Sequence, residues 1–128
     1  MFKDFLSWFR LKPKIDQKNK IPLFQEKEIW WCSVGVNIGC ETDGKNGLFE
    51  RPVLIFKKYN SCQFLGFPMT TTNKTGKFYS DISTQKQESR VMLSQLRVFD
   101  SRRLIRKITK LTTLGFEKVK KDWVDSMK

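Results

Sequence analysis

The chain has 128 residues, with 25 Lys+Arg against 13 Asp+Glu, for a formal net charge of +12. That length suits one domain with a short appendage, and 39% hydrophobic residues with 13% aromatics is too apolar for a disordered basic tail. With no His, the chain cannot build a Ser-His-Asp or Cys-His nucleophile, a His acid/base pair or a His-containing zinc site.

The three Cys, at positions 32, 40 and 62, show no C-x-x-C spacing. This argues against a disulfide framework and a Cys-rich zinc site, and predicts three thiols in or near the core of a cytoplasmic protein. No apolar run approaches the ~18 residues of a membrane span, so no membrane partner is expected. The opening MFKDFLSWFRLKPK mixes charge into its apolar residues and lacks a signal-peptide core.

In chain order, residues 3–12 read as a short helix, with an apolar stripe of Phe5, Leu6, Trp8, Phe9 and Leu11, interrupted at Pro13. Residues 14–20 read as a polar linker. Residues 1–24 are thus a helical appendage and linker, docked through Trp8 and Phe9 on a domain spanning 25–128. A first strand starts near Glu28, where Trp30, Cys32, Val34 and Val36 fall on one face at period two. The loop 37–50 holds the turn dipeptides Asp43-Gly44 and Asn46-Gly47, and its length suggests function. Pro52-Val-Leu-Ile-Phe56 reads as a buried strand, and residues 62–70 as the next, ending near Pro68. Residues 70–76 form a polar loop. Residues 77–82 alternate, and 90–99 read as one further strand. Leu104, Ile105 and Ile108 stand at helical spacing. Thr112 or Thr113 can cap a final helix, with Phe116, Val119, Trp123 and Met127 on one stripe. The expected fold is mainly β (α+β): a small antiparallel barrel or strongly curved sheet of about five strands, closed on one side by C-terminal helices.

Charge is uneven. Residues 1–20 carry a balance of +4, residues 21–101 only +2, and residues 102–121 carry eight positive charges against one negative. A basic flank fits phosphate, an acidic protein segment or a solvated helix face alike.

Without His, phosphate chemistry rests on Arg, hydroxyls, carboxylates and backbone dipoles. Arg51, directly before Pro52, sits at the mouth of a buried strand, where a guanidinium can hold phosphate at two points. Glu41 lies in the preceding loop, whose ends should meet, making an Arg51–Glu41 pair either catalytic or a structural closure. Thr70 puts a hydroxyl beside a polar loop. Gln95 and Arg97 share a face at period two, and Asp100 suits a helix N-cap. Trp30 and Trp31 could stack a base but equally fit a core or a dimer seam. Acidic residues are too scattered for a metal-dependent nuclease.

Four blocks occur in order: Glu28-Ile-Trp-Trp-Cys-Ser-Val-Gly-Val-Asn-Ile-Gly-Cys-Glu41, Arg51-Pro-Val-Leu-Ile-Phe56, Pro68-Met-Thr70 and Ser89-Arg-Val-Met-Leu-Ser-Gln-Leu-Arg-Val-Phe-Asp100. Together they resemble the MazF/PemK toxins of bacterial type II toxin–antitoxin systems, over about residues 26–127. The resemblance implies an SH3-like (CcdB-type) barrel and a homodimer. It also implies an endoribonuclease that needs no metal or other cofactor and cleaves single-stranded RNA through its own 2′-hydroxyl, and a cognate antitoxin as partner. It assigns Arg51, Thr70 and Glu41 as catalytic and Gln95 and Arg97 as RNA-binding, with Lys45 and Thr71 as further RNA contacts. Two departures stand out. Cys40 occupies a position where some members have His, and Met92 and Ser94 stand where one branch uses Arg and Asp. The loop 42–50 is longer than in compact members, so cleavage specificity does not transfer. The rival reading is a non-catalytic SH3-like module that binds nucleic acid or an acidic protein in the same groove.

Overall fold

The structure, a computed structural model, describes residues 2–84 and 88–128. Helix α1 (Phe5–Asp16) is followed by strands β1 (Glu28–Ser33), β2 (Glu50–Lys58), β3 (Gln63–Thr70), β4 (Tyr79–Ser83) and β5 (Glu88–Met92). A 3-10 turn (Leu93–Gln95), strand β6 (Arg97–Asp100), a second 3-10 turn (Ser101–Arg103), β7 (Leu104–Lys110) and helix α2 (Thr113–Ser126) complete the chain. All pairings are antiparallel, in the order β4-β5-β3-β2-β1-β7, with β6 on β3. β6 pairs with β3 and β7 with β1, and only the turn Ser101–Arg103 separates them. The sheet therefore curls round on itself through chain continuity rather than through a closed ladder.

The two faces of the sheet carry two cores. Trp30, Cys32, Val34, Val53, Ile55, Phe64, Phe99 and Leu104 pack with Phe24 on the inner face. Ile29, Leu54, Phe67, Met69, Val91 and Leu93 form the other, which α2 covers with Phe116 and Val119. The expected alternation holds for Trp30, Cys32 and Val34, whereas Val36 lies past the end of β1 and packs with Trp8 and Ile15; Trp30 is a core residue whose Nε1–H donates to Glu28 Oε1 at 2.9 Å. Burial pushes the Glu28 carboxyl up, but Trp30, the Gln25 N–H and Lys107 outweigh it and leave its pKa below the ordinary value. Thr112 caps α2 by accepting from the Gly115 N–H.

Several expectations are corrected. The segment with helical spacing, Leu104–Lys110, is strand β7, paired to β1. Two register shifts, between Ile29 and Trp30 and between Trp31 and Cys32, re-phase the ladder. Ile105 and Ile108 fall at these shifts, so Leu104 packs beside Cys32 in one core and Ile108 against the other, and the apolar residues of a bulged strand take on the spacing of a helix. The single strand expected over 90–99 is two strands, because β3 pairs with β5 at Met69 and Thr70 and with β6 from Gln63 to Gly66. The 3-10 turn between them drops Leu93 into the core. β3 runs past Pro68 to Thr70, and Pro68 falls between its two partners on that edge. Asp100 caps only the short turn Ser101–Arg103.

Pro13 lies inside α1 and does not end it. An interior proline costs about 3 kcal/mol, and burial of Ile15 in the last turn favours continuation. α1 docks through Trp8 and Ile15, with Leu11 and Phe49 packed alongside Val36, whereas Phe9 is 71% exposed. Among the described residues the strands number seven, not about five. Of the thiols only Cys32 is buried; Cys40 and Cys62 are exposed.

Phe67 is fully buried and meets Phe56 edge-on at 5.0 Å. Phe67→Ala should lower unfolding free energy by about 3–5 kcal/mol, read as a shifted urea midpoint with unchanged slope.

Candidate nucleic-acid site

Arg51 opens the buried run of β2, where the β2–β3 register sets Val53 opposite Pro68. Continuing that register by two residues sets Arg51 opposite Thr70, so both side chains leave the same face at the strand ends. The guanidinium is half-buried. Its Nε donates to the Asp43 carbonyl at 2.7 Å and its Nη1 to the Met69 carbonyl at 3.2 Å. Burial lowers its pKa, and the nearby Asp43 carboxylate works in the opposite direction. An arginine remains protonated under such a shift. Two of its five N–H groups are thereby engaged by backbone oxygens, and the others have no protein acceptor among the described residues.

Arg51 lines a cavity of about 140 Å3 together with Lys45, Glu50, Thr70, Thr71 and Trp31. Thr70 Oγ1 accepts from the Thr72 N–H at 3.2 Å, which fixes the first turn of the following loop. Lys45 is exposed and bridges Glu50 through the backbone. Thr71 is exposed. Arg106 lies over the Trp31 ring at 5.1 Å, which orients that indole.

Glu41 is placed elsewhere. It is exposed, and its Oε1 accepts from the Ile38 N–H at 2.8 Å, closing a local turn. It lines a second cavity of about 560 Å3 with Cys40, Thr42, Gln95 and Arg97. Gln95 holds the loop to the sheet, accepting from the Thr42 N–H and donating to the Cys40 carbonyl. Arg97 stacks over Phe99 at 4.7 Å. The expected meeting of Glu41 with Arg51 is thus not found: Glu41 sits mid-loop, and its turn faces it away from the strand end. The loop ends that do converge belong to Val34 and Gly35, whose N–H groups both donate to the Phe49 carbonyl.

Sequence reasoning missed three residues here. Asp43 supplies the carbonyl that holds Arg51, and its carboxylate accepts from the Asn37 N–H at 2.6 Å. Glu50 is a buried carboxylate on the Arg51 cavity, engaged with Arg106 at 3.4 Å. Gly44 is required because a Cβ would meet the Phe49 carbonyl oxygen at 1.7 Å. The Asp-Gly dipeptide was the visible sign of Gly44. A carbonyl contact has no side-chain signature.

The basic run 102–110 is largely engaged within the fold. Arg103 donates to the Ser33 and Val34 carbonyls, Arg106 pairs with Glu50, Lys107 with Glu28, and Arg102 with Asp100 and Asp16.

A family model, the PemK-like, MazF-like toxin of type II toxin–antitoxin systems, matches residues 25–123. The chain belongs to this family. No curated protein matches it by sequence. Among solved structures, MazF from Deinococcus radiodurans has a TM-score of 0.69 at 18% identity, over 85% of this chain and 98% of that one. An endoribonuclease from a Mycobacterial species, in complex with its cognate antitoxin, has a TM-score of 0.64 at 12% identity, over 82% and 95%. The Mycobacterium tuberculosis toxin MazF-mt6 has a TM-score of 0.60 at 16% identity, over 78% and 95%. At these identities the likeness shows a common fold. Helix α1 lies outside the family match.

Burial pushes the Cys32 thiol up to about 12, whereas Cys40 opens on the Gln95 cavity. Iodoacetamide on the native protein should add two labels, at Cys40 and Cys62, with Cys32 alkylated only after unfolding. Intact mass and peptide mapping read this directly, since alkylation needs the accessible thiolate.

Proposed function

We propose that this MazF/PemK-family toxin is an endoribonuclease that cleaves single-stranded RNA without a metal ion, restrained by a cognate antitoxin. The observation that carries this reading is Arg51, fixed by two backbone carbonyls beside Thr70, Thr71 and Lys45, with N–H groups left for an anion. In the proposed reaction the substrate's 2′-oxygen forms a bond to phosphorus and the bond to the 5′-oxygen breaks. The 2′-proton passes to solvent water and the leaving 5′-oxygen takes a proton from water, so no net proton is consumed. The products are a 2′,3′-cyclic phosphate and a 5′-hydroxyl.

Arg51 stabilises the charge that grows on the non-bridging oxygens, and because it is already oriented it reorganises little on reaction. The Thr70 hydroxyl donates to one of those oxygens. Lys45 and Thr71 hold adjoining backbone, and Gln95 and Arg97 hold flanking nucleotide across the loop. The catalytic role assigned by resemblance to Glu41 is weakened by its distance from the Arg51 cavity. Glu50 is at that cavity, but it is buried and its carboxylate oxygens are already engaged by Arg106. Charge stabilisation therefore outweighs general-base catalysis in this site. The antitoxin proposal is supported by the complexes of the Mycobacterial and Deinococcus relatives with their antitoxins, and self-association into a homodimer by the family resemblance.

The rival, a binding module that cuts nothing, is favoured by the ion pairing of both carboxylates near Arg51 among the described residues, Asp43 with Lys3 and Glu50 with Arg106. One assay separates the two: purified protein, mixed-sequence single-stranded RNA and excess chelator. Cleavage to discrete fragments with cyclic-phosphate ends is expected. Arg51→Ala should reduce the rate by about 10²–10³-fold, and Glu41→Gln by less than about tenfold. Bound but intact RNA would establish the binding module, and near-normal cleavage by Arg51→Ala would remove that residue from the site.

A further inference from the structure

The segment that precedes the family match reaches into the site. The Lys3 ammonium donates to the Asn37 carbonyl at 2.8 Å and the Gly39 carbonyl at 2.9 Å, and pairs with the Asp43 carboxylate at 2.9 Å. These three oxygens belong to one arm of the β1–β2 loop. Asp43 also carries the carbonyl that accepts from Arg51 Nε. Lys3 is therefore two contacts from the guanidinium.

Helix α1, which follows Lys3 after the Asp4 cap, holds the base of the same loop. The Trp8 ring meets Phe49 edge-on at 5.7 Å, and Arg103 lies over it at 5.7 Å. Trp8 also presses on Gly35, where φ is +89° and a Cβ would come within 2.4 Å of the ring. Backbone of that conformation favours glycine in any case, and here the indole fills the space a side chain would need.

We propose that Lys3 is a positioning residue for Arg51, acting through Asp43, and that the N-terminal segment of Lys3 and α1 is thereby a working part of the site rather than a passive appendage. An ammonium with three oxygen partners fixes the arm 37–43, and the arm sets the carbonyl against which the guanidinium is aimed. Without Lys3 the Asp43 carboxylate keeps, among the described residues, the Asn37 N–H as its hydrogen-bond donor, and the arm gains freedom where the site needs definition. The catalytic consequence rests on the nuclease reading. The structural consequence does not.

The test compares Lys3→Met, Lys3→Arg and Asp43→Asn with the full chain, and uses Lys12→Met, on the exposed side of α1, as control. Misplacement of a catalytic group by about 1 Å can cost ~10²-fold, so Lys3→Met should lower kcat by about 10–100-fold on a single-stranded oligonucleotide. KM should stay within about threefold, as expected when only the transition state loses an interaction. Lys3→Arg should recover most of the rate, and Lys12→Met should match the parent. The double variant Lys3→Met/Asp43→Asn should fall no further than the worse single one. Arg51 Nε–H, followed by nitrogen-labelled NMR, should exchange with water faster in Lys3→Met at unchanged melting temperature. If Lys3→Met does not fold, Asp43→Asn reports the same link from the loop side, since it keeps the carbonyl and loses the ion pair. Unchanged kcat with unchanged Nε–H exchange overturns the proposal, as does full additivity in the double variant. If the parent cleaves no RNA, the nuclease reading fails and the exchange measurement still decides the positioning role.

Discussion

The guanidinium of Arg51 is held by two main-chain carbonyls, one from the long loop and one from β3. Both bonds are charge-assisted, a class that contributes about 1.5–3 kcal/mol each. They offset the burial that opposes the charge, which is why the side chain stays oriented while half-buried. The arrangement places a strict demand on the loop. Asp43 must present its carbonyl at one point in space, so the backbone from Asn37 to Gly44 cannot drift. Gly44 donates to the Gly35 carbonyl at 2.8 Å, the Asn37 side-chain amide donates to the Thr42 carbonyl at 2.7 Å, and Gln95 binds both Cys40 and Thr42. A loop of this length is normally mobile. This one is tied at each step.

The parts of the fold legible in the sequence are those where one physical signal acts alone. β2 and β3 are apolar runs closed by turn residues, and α2 has a threonine cap and an apolar stripe, so each was readable. β7 was not, because two irregularities in its ladder with β1 shift the inward positions and make a strand spaced like a helix. The break between β5 and β6 depends on both strands sharing one edge of β3, a long-range fact that the run 90–99 does not carry. Pro13 marks a local cost, but the burial of Ile15 that opposes it is tertiary.

The same division applies to the site. Arg51 and Thr70 could be paired because each ends a readable strand and antiparallel register brings such ends together. Glu41 was misplaced because the convergence of loop ends says nothing about residues in the middle. Lys3 and Asp43 act through carbonyls and a carboxylate within a loop, and nothing in their types or spacing distinguishes them from surface charge.

A net charge of +12 suggests a broad cationic surface, but the structure divides that charge. Arg103, Arg106 and Lys107 hold β7 to β1 and β2 through carbonyls and two buried carboxylates. Removing such an arginine or lysine would leave Glu50 or Glu28 buried and unpaired, a larger penalty than the loss of a surface pair. Their charge belongs first to the fold. Lys45 beside Arg51 and Arg97 beside Gln95 are not bound into carboxylate pairs among the described residues, and they flank the loop from its two sides. In the proposed nuclease, a polyanion on that loop would meet Lys45 and Arg51 at one cavity and Arg97 at the other. The placement of these charges, rather than their total, is then what matters to the proposed site, and helix α1 bears on it by packing Trp8 against Phe49 at the base of the loop.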